Sequence, residues 1–232
     1  MFGVSENIKK ITKVFVVDLD SRENQNILKP SARPFKAHQV DGVAKKIYKL
    51  IKDANHSNDD IILNHNKIKE AFFSPFKPQL KSTQVFLSHS HADKNKALKV
   101  KDYLESETNH RVFIDSLFWD YKDNILNKLA KYDNTSKIKD AFTLILRESL
   151  QDMIEKCPYF VFLQSNNSVS NQGLSRTTYS AWIYEELKIA HSIKESRLTP
   201  MTESWQVSHD ISPFLESLET ITLKELSHII NS

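Results

Sequence analysis

Three short apolar segments, separated by segments with a helical pattern, indicate the fold class of this chain. They span residues 84–88, 111–115 and 159–164. A strand that is apolar along its whole length is buried on both faces, and such strands are typical of a parallel sheet with helices on both faces. The alternation of these strands with helical segments therefore predicts an α/β fold built on a parallel sheet.

Polar residues follow each of the three predicted strands. They occupy positions 88–91, 115–116 and 165–167, and most of them have small side chains. In open parallel sheets, ligands bind beyond the carboxyl ends of the strands. We therefore expect these three segments to line a ligand-binding crevice.

A later predicted helix, over residues 179–192, carries a carboxylate on its apolar side. At about 100° per residue, Glu186 lies among apolar side chains, whereas Glu185 lies at their flank. The apolar side chains on that side are Trp182, Ile183, Leu187, Ala190 and Ile193. An unpaired buried carboxylate costs several kcal/mol, so Glu186 needs a partner. Two alternatives are open: a Lys or Arg from another element, or a ligand.

A change of pattern near residue 82 indicates a domain boundary. Amphipathic helical patterns start near residues 37 and 68, and two prolines end the second one. The apolar segment 13–18 is interpreted as a short strand that ends in a turn. We predict a mainly helical N-terminal extension over residues 1–82 and an α/β domain over residues 83–232.

Composition excludes several classes of function. The chain has only three glycines, so it lacks the Gly-rich loops of Walker-type and Rossmann-type nucleotide sites. It has no apolar run of about 20 residues and no signal-peptide core at its start, and its single cysteine, Cys157, suits a reducing compartment. We expect a cytoplasmic protein with no membrane partner. Residues 1–83 carry an excess of Lys and Arg, which we interpret as a solvated helical face and not as a nucleic-acid site.

The spacing of His89, His91 and Asp93 after the first predicted strand resembles the first metal motif of the metallo-β-lactamase family. Lys94 and Lys96 follow where that motif needs a further ligand, so we predict no metal site. A metallo-β-lactamase-like hydrolase stays as an alternative function. In the preferred interpretation, Asp93 caps a helix while the neighbouring His and Ser side chains line the crevice.

The order of these motifs resembles the Toll/interleukin-1 receptor (TIR) domain. The strand that ends in Ser-His-Ser-His-x-Asp spans residues 85–93, the strand that ends in Asp spans 112–115, and a Ser-x-Trp-x-x-x-Glu helix start spans 180–186. The resemblance covers residues 84–193 and is greatest to bacterial TIR proteins of the Thoeris anti-phage type. It implies a flavodoxin-like TIR fold, although the fourth strand of that fold is not visible after residue 193.

This resemblance implies an enzyme that cleaves the bond between nicotinamide and ribose in NAD, as a glycohydrolase or as an ADP-ribosyl cyclase or transferase. Glu186 corresponds to the catalytic Glu of the family, and NAD is a substrate, so no further cofactor is implied. The departure of nicotinamide leaves positive charge on the ribose, which a fixed carboxylate stabilises. In Thoeris-type proteins the product is a nucleotide signal for a separate effector protein.

The resemblance also implies a set of substrate-binding residues around Glu186. They are Trp182, Ser88, His89, Ser90, Asp115, Ser116 and Trp119. Residues 116–121 are expected to form a loop that covers the substrate or mediates self-assembly through TIR surfaces. The alternative is a TIR interaction module without chemistry, but such a module has no need of a carboxylate on an apolar helix face.

Two elements are predicted near the end of the chain. Residues 220–223 are expected to form a last edge strand, and residues 224–230 a helix.

Overall fold

The computed structural model describes residues 13–28, 41–53, 55–57, 60–62, 65–74, 82–130, 136–172, 175–191 and 208–232. The strands are β1 (Lys13–Asp18), β2 (Asn55–Ser57), β3 (Asp60–Ile62), β4 (Thr83–Ser88), β5 (Arg111–Ile114), β6 (Tyr159–Gln164), β7 (Ser170–Gln172), β8 (Ser175–Thr178), β9 (His209–Asp210) and β10 (Glu219–Thr220). The helices are α1 (Arg22–Ile27), α2 (Asp41–Lys52), α3 (His65–Phe73), α4 (Lys94–Glu107), α5 (Ser116–Leu129), α6 (Ser136–Lys156), α7 (Ala181–His191), α8 (Ser212–Glu216) and α9 (Leu223–Asn231), with a 3₁₀ turn at His91–Asp93.

Two compact units make up the chain. The first comprises residues 1–32, 82–115 and 151–232, and the second comprises residues 33–81 and 116–150. The first unit contains a five-stranded parallel sheet in the order β10-β1-β6-β4-β5, flanked by helices. The predicted α/β fold with a parallel sheet is therefore confirmed, and all three apolar segments that predicted it are strands of this sheet.

The N-terminal strand β1 corrects the predicted domain boundary. The sequence pattern places it in a helical extension, but it pairs with β6 from Lys13 opposite Tyr159 to Asp18 opposite Gln164. Its other neighbour is the edge strand β10. The predicted boundary grouped β1 with the segments that follow it in the sequence. A strand that is apolar along its length instead belongs where both of its faces are buried, and residues 15–17 are buried in the sheet.

The strand order is compatible with a flavodoxin-like fold, whose strands lie in the order 2-1-3-4-5. With β4 counted as the first strand, β5 is second, β6 third and β10 fifth. The N-terminal strand β1 then occupies the fourth position. In the sequence, the segment after residue 193 was expected to supply that fourth strand; residues 192–207 lie outside the described part of the chain.

Aromatic packing holds the middle of the sheet together. Phe86 lies opposite Phe113 on one neighbouring strand and opposite Phe160 on the other. Both ring pairs have centroids 5.6 Å apart, and the Phe86 and Phe160 rings are stacked. Burying a Phe side chain contributes about 1.5–3 kcal/mol. This packing fixes β4 so that Ser88 and His89 come at its carboxyl end.

Helix α4 covers the edge strand β5. Lys101 donates from Nζ to the carbonyl oxygen of Val112 at 2.6 Å, and Glu105 accepts the Val112 N–H at 3.0 Å. The two side chains also form an ion pair with each other. These contacts satisfy backbone groups that an edge strand otherwise leaves open to pairing with another chain.

The second unit contains α2, α3, α5 and residues 136–150 of α6. Phe72 is at its centre, with edge-to-face contacts to Phe73, Tyr121 and Phe142 at centroid distances of 5.1, 5.1 and 5.5 Å. The predicted amphipathic helices near residues 37 and 68 correspond to α2 and α3. Residues 37–40 of the first prediction lie outside the described part of the chain.

The predicted loop 116–121 is wrong, because Ser116 begins helix α5. Tyr121, Ile125 and Leu129 recur every four residues and are all buried, which is the periodicity of a helix face. The prediction took the polar and aromatic composition of residues 116–121 as a loop and did not extend the apolar pattern into the following residues.

The end of the chain largely follows the prediction. The edge strand β10 lies at Glu219–Thr220, and α9 begins after a capping box in which Thr222 and Glu225 bond each other's backbone N–H. A small antiparallel sheet of β7, β8 and β9 was not predicted. In the sequence, β7 and β8 precede α7 and β9 follows it. None of the described helices combines the length and the apolar character that crossing a bilayer requires.

Candidate functional site

The carboxyl ends of β4 and β5 and the middle of α7 bring four polar side chains together in the first unit. These side chains, here called the Glu186 cluster, belong to Ser88, His89, Asp115 and Glu186. All four are buried. They come from segments far apart in sequence, so only the sheet register and the position of α7 can bring them together.

The start of helix α7 sets the direction in which Glu186 points. Ser180 accepts the N–H of Ile183 at 3.3 Å, which is the bond of an N-cap residue, and Thr178 accepts the N–H of Ser180 at 3.2 Å. The helix therefore begins directly after β8. Its buried side contains Ile183, Leu187 and Ala190 together with Glu186, as the sequence predicted, whereas Trp182 is only half-buried and Ile193 lies outside the described residues. Glu185 is also buried, with 7% exposure, so the prediction that it lies at the flank underestimates its burial.

Glu186 is fully buried, and neither of its carboxyl oxygens makes an aligned hydrogen bond with a described residue. No Lys or Arg among the described residues forms an ion pair with it either, which argues against the first of the two alternatives. Burial raises the pKa of Glu186 well above its ordinary value, and the neighbouring Asp115 raises it further. The nearby hydroxyl of Ser88 has the opposite effect: it favours the ionised form and so lowers the pKa of Glu186.

Asp115 also contacts His89. Nδ1 of His89 lies 2.9 Å from Oδ1 of Asp115, although the ring N–H is not aligned with that oxygen as in a regular hydrogen bond. Burial by itself lowers the pKa of His89, but the attraction of Asp115, the carbonyl of Leu87 and the more distant Asp93 outweigh it and raise that pKa overall. Nε2 of His89 is buried and has no partner among the described residues.

A second polar network joins the carboxyl ends of β1, β4 and β6. Asp93 accepts bonds from the Ser165 hydroxyl and, at 2.9 Å, from the Asn167 amide. Lys96 lies 3.7 Å from Asp93 and donates to Asp20 at 2.7 Å. Both carboxylates of this network lie near Lys96 and accept hydrogen bonds from residues of the segment after β6, so we interpret it as a brace between strand ends.

This brace was only partly visible in the sequence. The sequence predicts residues 165–167 at the crevice, but it does not predict Asp20 and Lys96 as site residues. Asp93 was predicted to cap a helix with its side chain; it occupies the N-cap position of α4 without making that bond. The Lys96 ammonium, together with the Asn166 N–H, lowers the pKa of Asp20. The Asp20 carboxylate in turn is the main cause that raises the pKa of Lys96.

The other predicted site residues have separate positions. Ser90 precedes the 3₁₀ turn and is half-buried, and Trp182 is a half-buried residue one turn before Glu186. Ser116 and Trp119 belong to α5 in the second unit. Ser116 is buried, whereas the side chain of Trp119 lies outside the described part of the structure.

The residues of the suggested metal motif do not point to one place. His89 is buried and His91 is exposed, while Asp93 bonds Ser165 and Asn167. Among the described residues, no group of three or more His, Cys, Asp or Glu side chains is arranged to hold a metal ion.

Comparison with known proteins gives no match to a family model, to a curated protein or to a solved structure. The TIR resemblance therefore depends on the sequence motifs alone. The chemistry of the Glu186 cluster is the remaining basis for a functional conclusion.

Proposed function

We propose that this protein cleaves the bond between nicotinamide and ribose in NAD, and that Glu186 is the catalytic carboxylate. The observation that carries the proposal is the burial of Glu186 without a basic partner among the described residues. It lies beside Ser88, the last residue of β4, and Asp115, which directly follows β5; ligands of parallel sheets bind at these carboxyl ends. A carboxyl in this environment is suited to a cationic ligand.

The charge of the substrate supplies the basic partner that Glu186 does not have among the described residues. The nicotinamide ring of NAD is positively charged, and a nearby positive charge favours the ionised form of a carboxyl group. Binding of NAD therefore lowers the pKa that burial and Asp115 raise. A neutral ligand of the same shape has no such effect, so the cluster discriminates in favour of a cationic substrate.

The chemistry requires only one carboxylate. When the bond from the ribose carbon to the ring nitrogen breaks, its electron pair stays on the nitrogen, and nicotinamide leaves as a neutral molecule without a general acid. The positive charge moves to the ribose, where the carboxylate of Glu186 stabilises it. Electrostatic groups of this kind contribute about 10²–10³ in rate each.

The TIR resemblance extends the proposal to the biological role. An ADP-ribose-derived product would act as a nucleotide signal to a separate effector in bacterial anti-phage defence, in the cytoplasm. Self-assembly through TIR surfaces would accompany activity. These parts of the proposal rest on the motifs at 85–93, 112–115 and 180–186.

The direct test is incubation of the pure protein with NAD, with nicotinamide and nucleotide products followed by mass spectrometry. The variants are Glu186→Gln and the matched control Glu185→Gln, which makes the same change at the adjacent buried position. We expect the wild type and the control to release nicotinamide and Glu186→Gln to be at least about 10²-fold slower.

Two outcomes contradict the proposal. If Glu186→Gln releases nicotinamide as fast as the wild type, Glu186 is not the catalytic carboxylate. If the wild type releases none, even at concentrations that promote self-assembly, the interaction module is the better description of this protein.

A further inference from the structure

We infer that His89 is the general base of this reaction and accepts the proton of the water or hydroxyl group that attacks the ribose carbon after nicotinamide has left. The inference rests on the proposed function, and it assigns a second catalytic residue next to Glu186.

The hydrogen bonding of His89 is the first observation. Buried polar atoms of proteins nearly always have a hydrogen-bond partner, yet Nε2 of His89 has none among the described residues, and the side chain is fully buried. The other ring nitrogen lies 2.9 Å from Asp115. An imidazole with one nitrogen at a carboxylate and the other unoccupied has the arrangement of a general base. The imperfect alignment of the Asp115 contact is common in catalytic pairs without substrate.

The second observation is the position of Asp115, whose carboxyl group lies close to both His89 and Glu186. It lies against Nδ1 of His89 and is also close enough to Glu186 to raise the pKa of that group. The base and the proposed catalytic carboxylate are therefore parts of one cluster. A ribose carbon held at Glu186 is then within the same buried region as the imidazole.

The proposed step balances in atoms and charge. The oxygen of the nucleophile forms a bond to the ribose carbon while its proton moves to Nε2 of His89, which becomes an imidazolium ion beside the Asp115 carboxylate. The imidazolium later releases the proton to solvent. For water the sum is NAD plus water giving nicotinamide, ADP-ribose and one proton.

A reaction with a nitrogen nucleophile distinguishes a general base at His89 from a residue that only stabilises the structure. A nicotinamide molecule that attacks the ribose carbon re-forms NAD and has no proton to lose. Exchange of isotopically labelled nicotinamide into NAD therefore requires Glu186 but no base, whereas hydrolysis requires both. A structural defect reduces the two rates together.

The experiment compares both rates in the wild type, in His89→Gln and in the control His110→Gln. His110 also has a buried ring nitrogen without a partner among the described residues, but it precedes β5, at the opposite end of that strand from Asp115. We expect His89→Gln to lower hydrolysis by about 10²–10⁴ and to change exchange by less than about threefold. His110→Gln should leave the ratio of hydrolysis to exchange unchanged.

A pH profile of the wild type gives a second test that does not depend on the folding of a variant. A protonated imidazole accepts no proton, so the ratio of hydrolysis to exchange should fall as the pH is lowered through the pKa of His89. The groups facing His89 are Asp115 and Asp93, with Glu186 beyond Asp115, and the two Asp residues raise its pKa. The fall should therefore begin above the ordinary histidine value of about 6.5.

The outcomes separate this inference from the proposed function. If His89→Gln slows exchange as much as hydrolysis, or slows neither, or if the wild-type ratio is independent of pH, His89 is not the base, although NAD cleavage stands. If the wild type shows neither exchange nor hydrolysis, the proposed function fails and the inference fails with it.

Discussion

Glu186 is a residue whose burial opposes the stability of the fold. In the unfolded chain a Glu ionises above about pH 4.3, whereas in the folded protein burial and Asp115 favour its protonated form. The contribution of this group to stability is therefore fully present below the unfolded pKa and is lost as the pH rises through the raised folded pKa. The cationic substrate proposed for this site would restore part of that loss by stabilising the ionised form.

Replacement of Glu186 by Gln should consequently make the unliganded protein more stable at neutral pH. The amide keeps the shape of the carboxyl group but has no ionised form. We expect the variant and the wild type to have similar free energies of unfolding near pH 4.5 and to diverge as the pH rises. Urea titrations at several pH values measure this, and a difference that does not change with pH contradicts it.

Asp115 controls both of its titratable neighbours, since it raises the pKa of His89 and of Glu186. The change Asp115→Asn removes the negative charge, so the pKa of His89 should fall, because burial then outweighs the remaining favourable contacts. NMR titration of the His89 ring measures this shift. Asp20→Asn is the control, since Asp20 bonds Lys96 and the Asn166 N–H instead, and an equal shift in both variants excludes the assigned role of Asp115.

The residue types of the site were predictable, but their partners were not. Glu186 stood out because a carboxylate interrupts an apolar helix face, and His89 and Asp115 because they follow apolar strands. Their mutual contacts depend on strand order, which no local pattern specifies. The side chain of Lys96 joins Asp20 to Asp93 only because β1 lies in the sheet, so a domain boundary at residue 82 does not predict this network.

At the scale of elements, apolar strands were predicted reliably because burial on both faces leaves a continuous signal. Helix α5 was missed at its start, and strands β7 to β9 were missed because they are polar and short. The pairing of α4 with β5 was also not predictable, since it depends on two charged side chains that lie on the helix and bond strand backbone.

Glu105 provides a test of that pairing. It is 14% exposed and accepts the backbone N–H of Val112. Glu105→Leu leaves that N–H without its acceptor and should lower the free energy of unfolding by about 1–3 kcal/mol. Glu105→Gln keeps an acceptor oxygen and should cost less. Urea denaturation of both variants measures the difference, and equal losses would show that the ion pair with Lys101, rather than the bond to Val112, is what matters.

At the scale of the whole molecule, the inner position of β1 in the sheet is the feature on which folding depends most. β1 lies between β6 and β10, and Val17 within it is fully buried. Val17→Asp places a carboxylate inside the sheet. The variant should fail to fold and should show no cooperative melting transition, because an unpaired buried charge costs several kcal/mol. Lys13→Asp makes a carboxylate in the same strand at an exposed position and should leave the protein folded. Circular dichroism during heating distinguishes them, and two equally stable variants would contradict the inner placement of β1.

The position of β1 also decides when the protein can fold during its synthesis. Strand β1 pairs with β6 and β10, both of which are synthesised long after it, and the Leu223 N–H bonds the side chain of Asn24, 199 positions earlier. Contacts at such separations form slowly and only when both partners exist. A ribosome-bound chain that already contains Glu186 still lacks β10 and α9, so the five-stranded sheet is complete only after these later elements have been made.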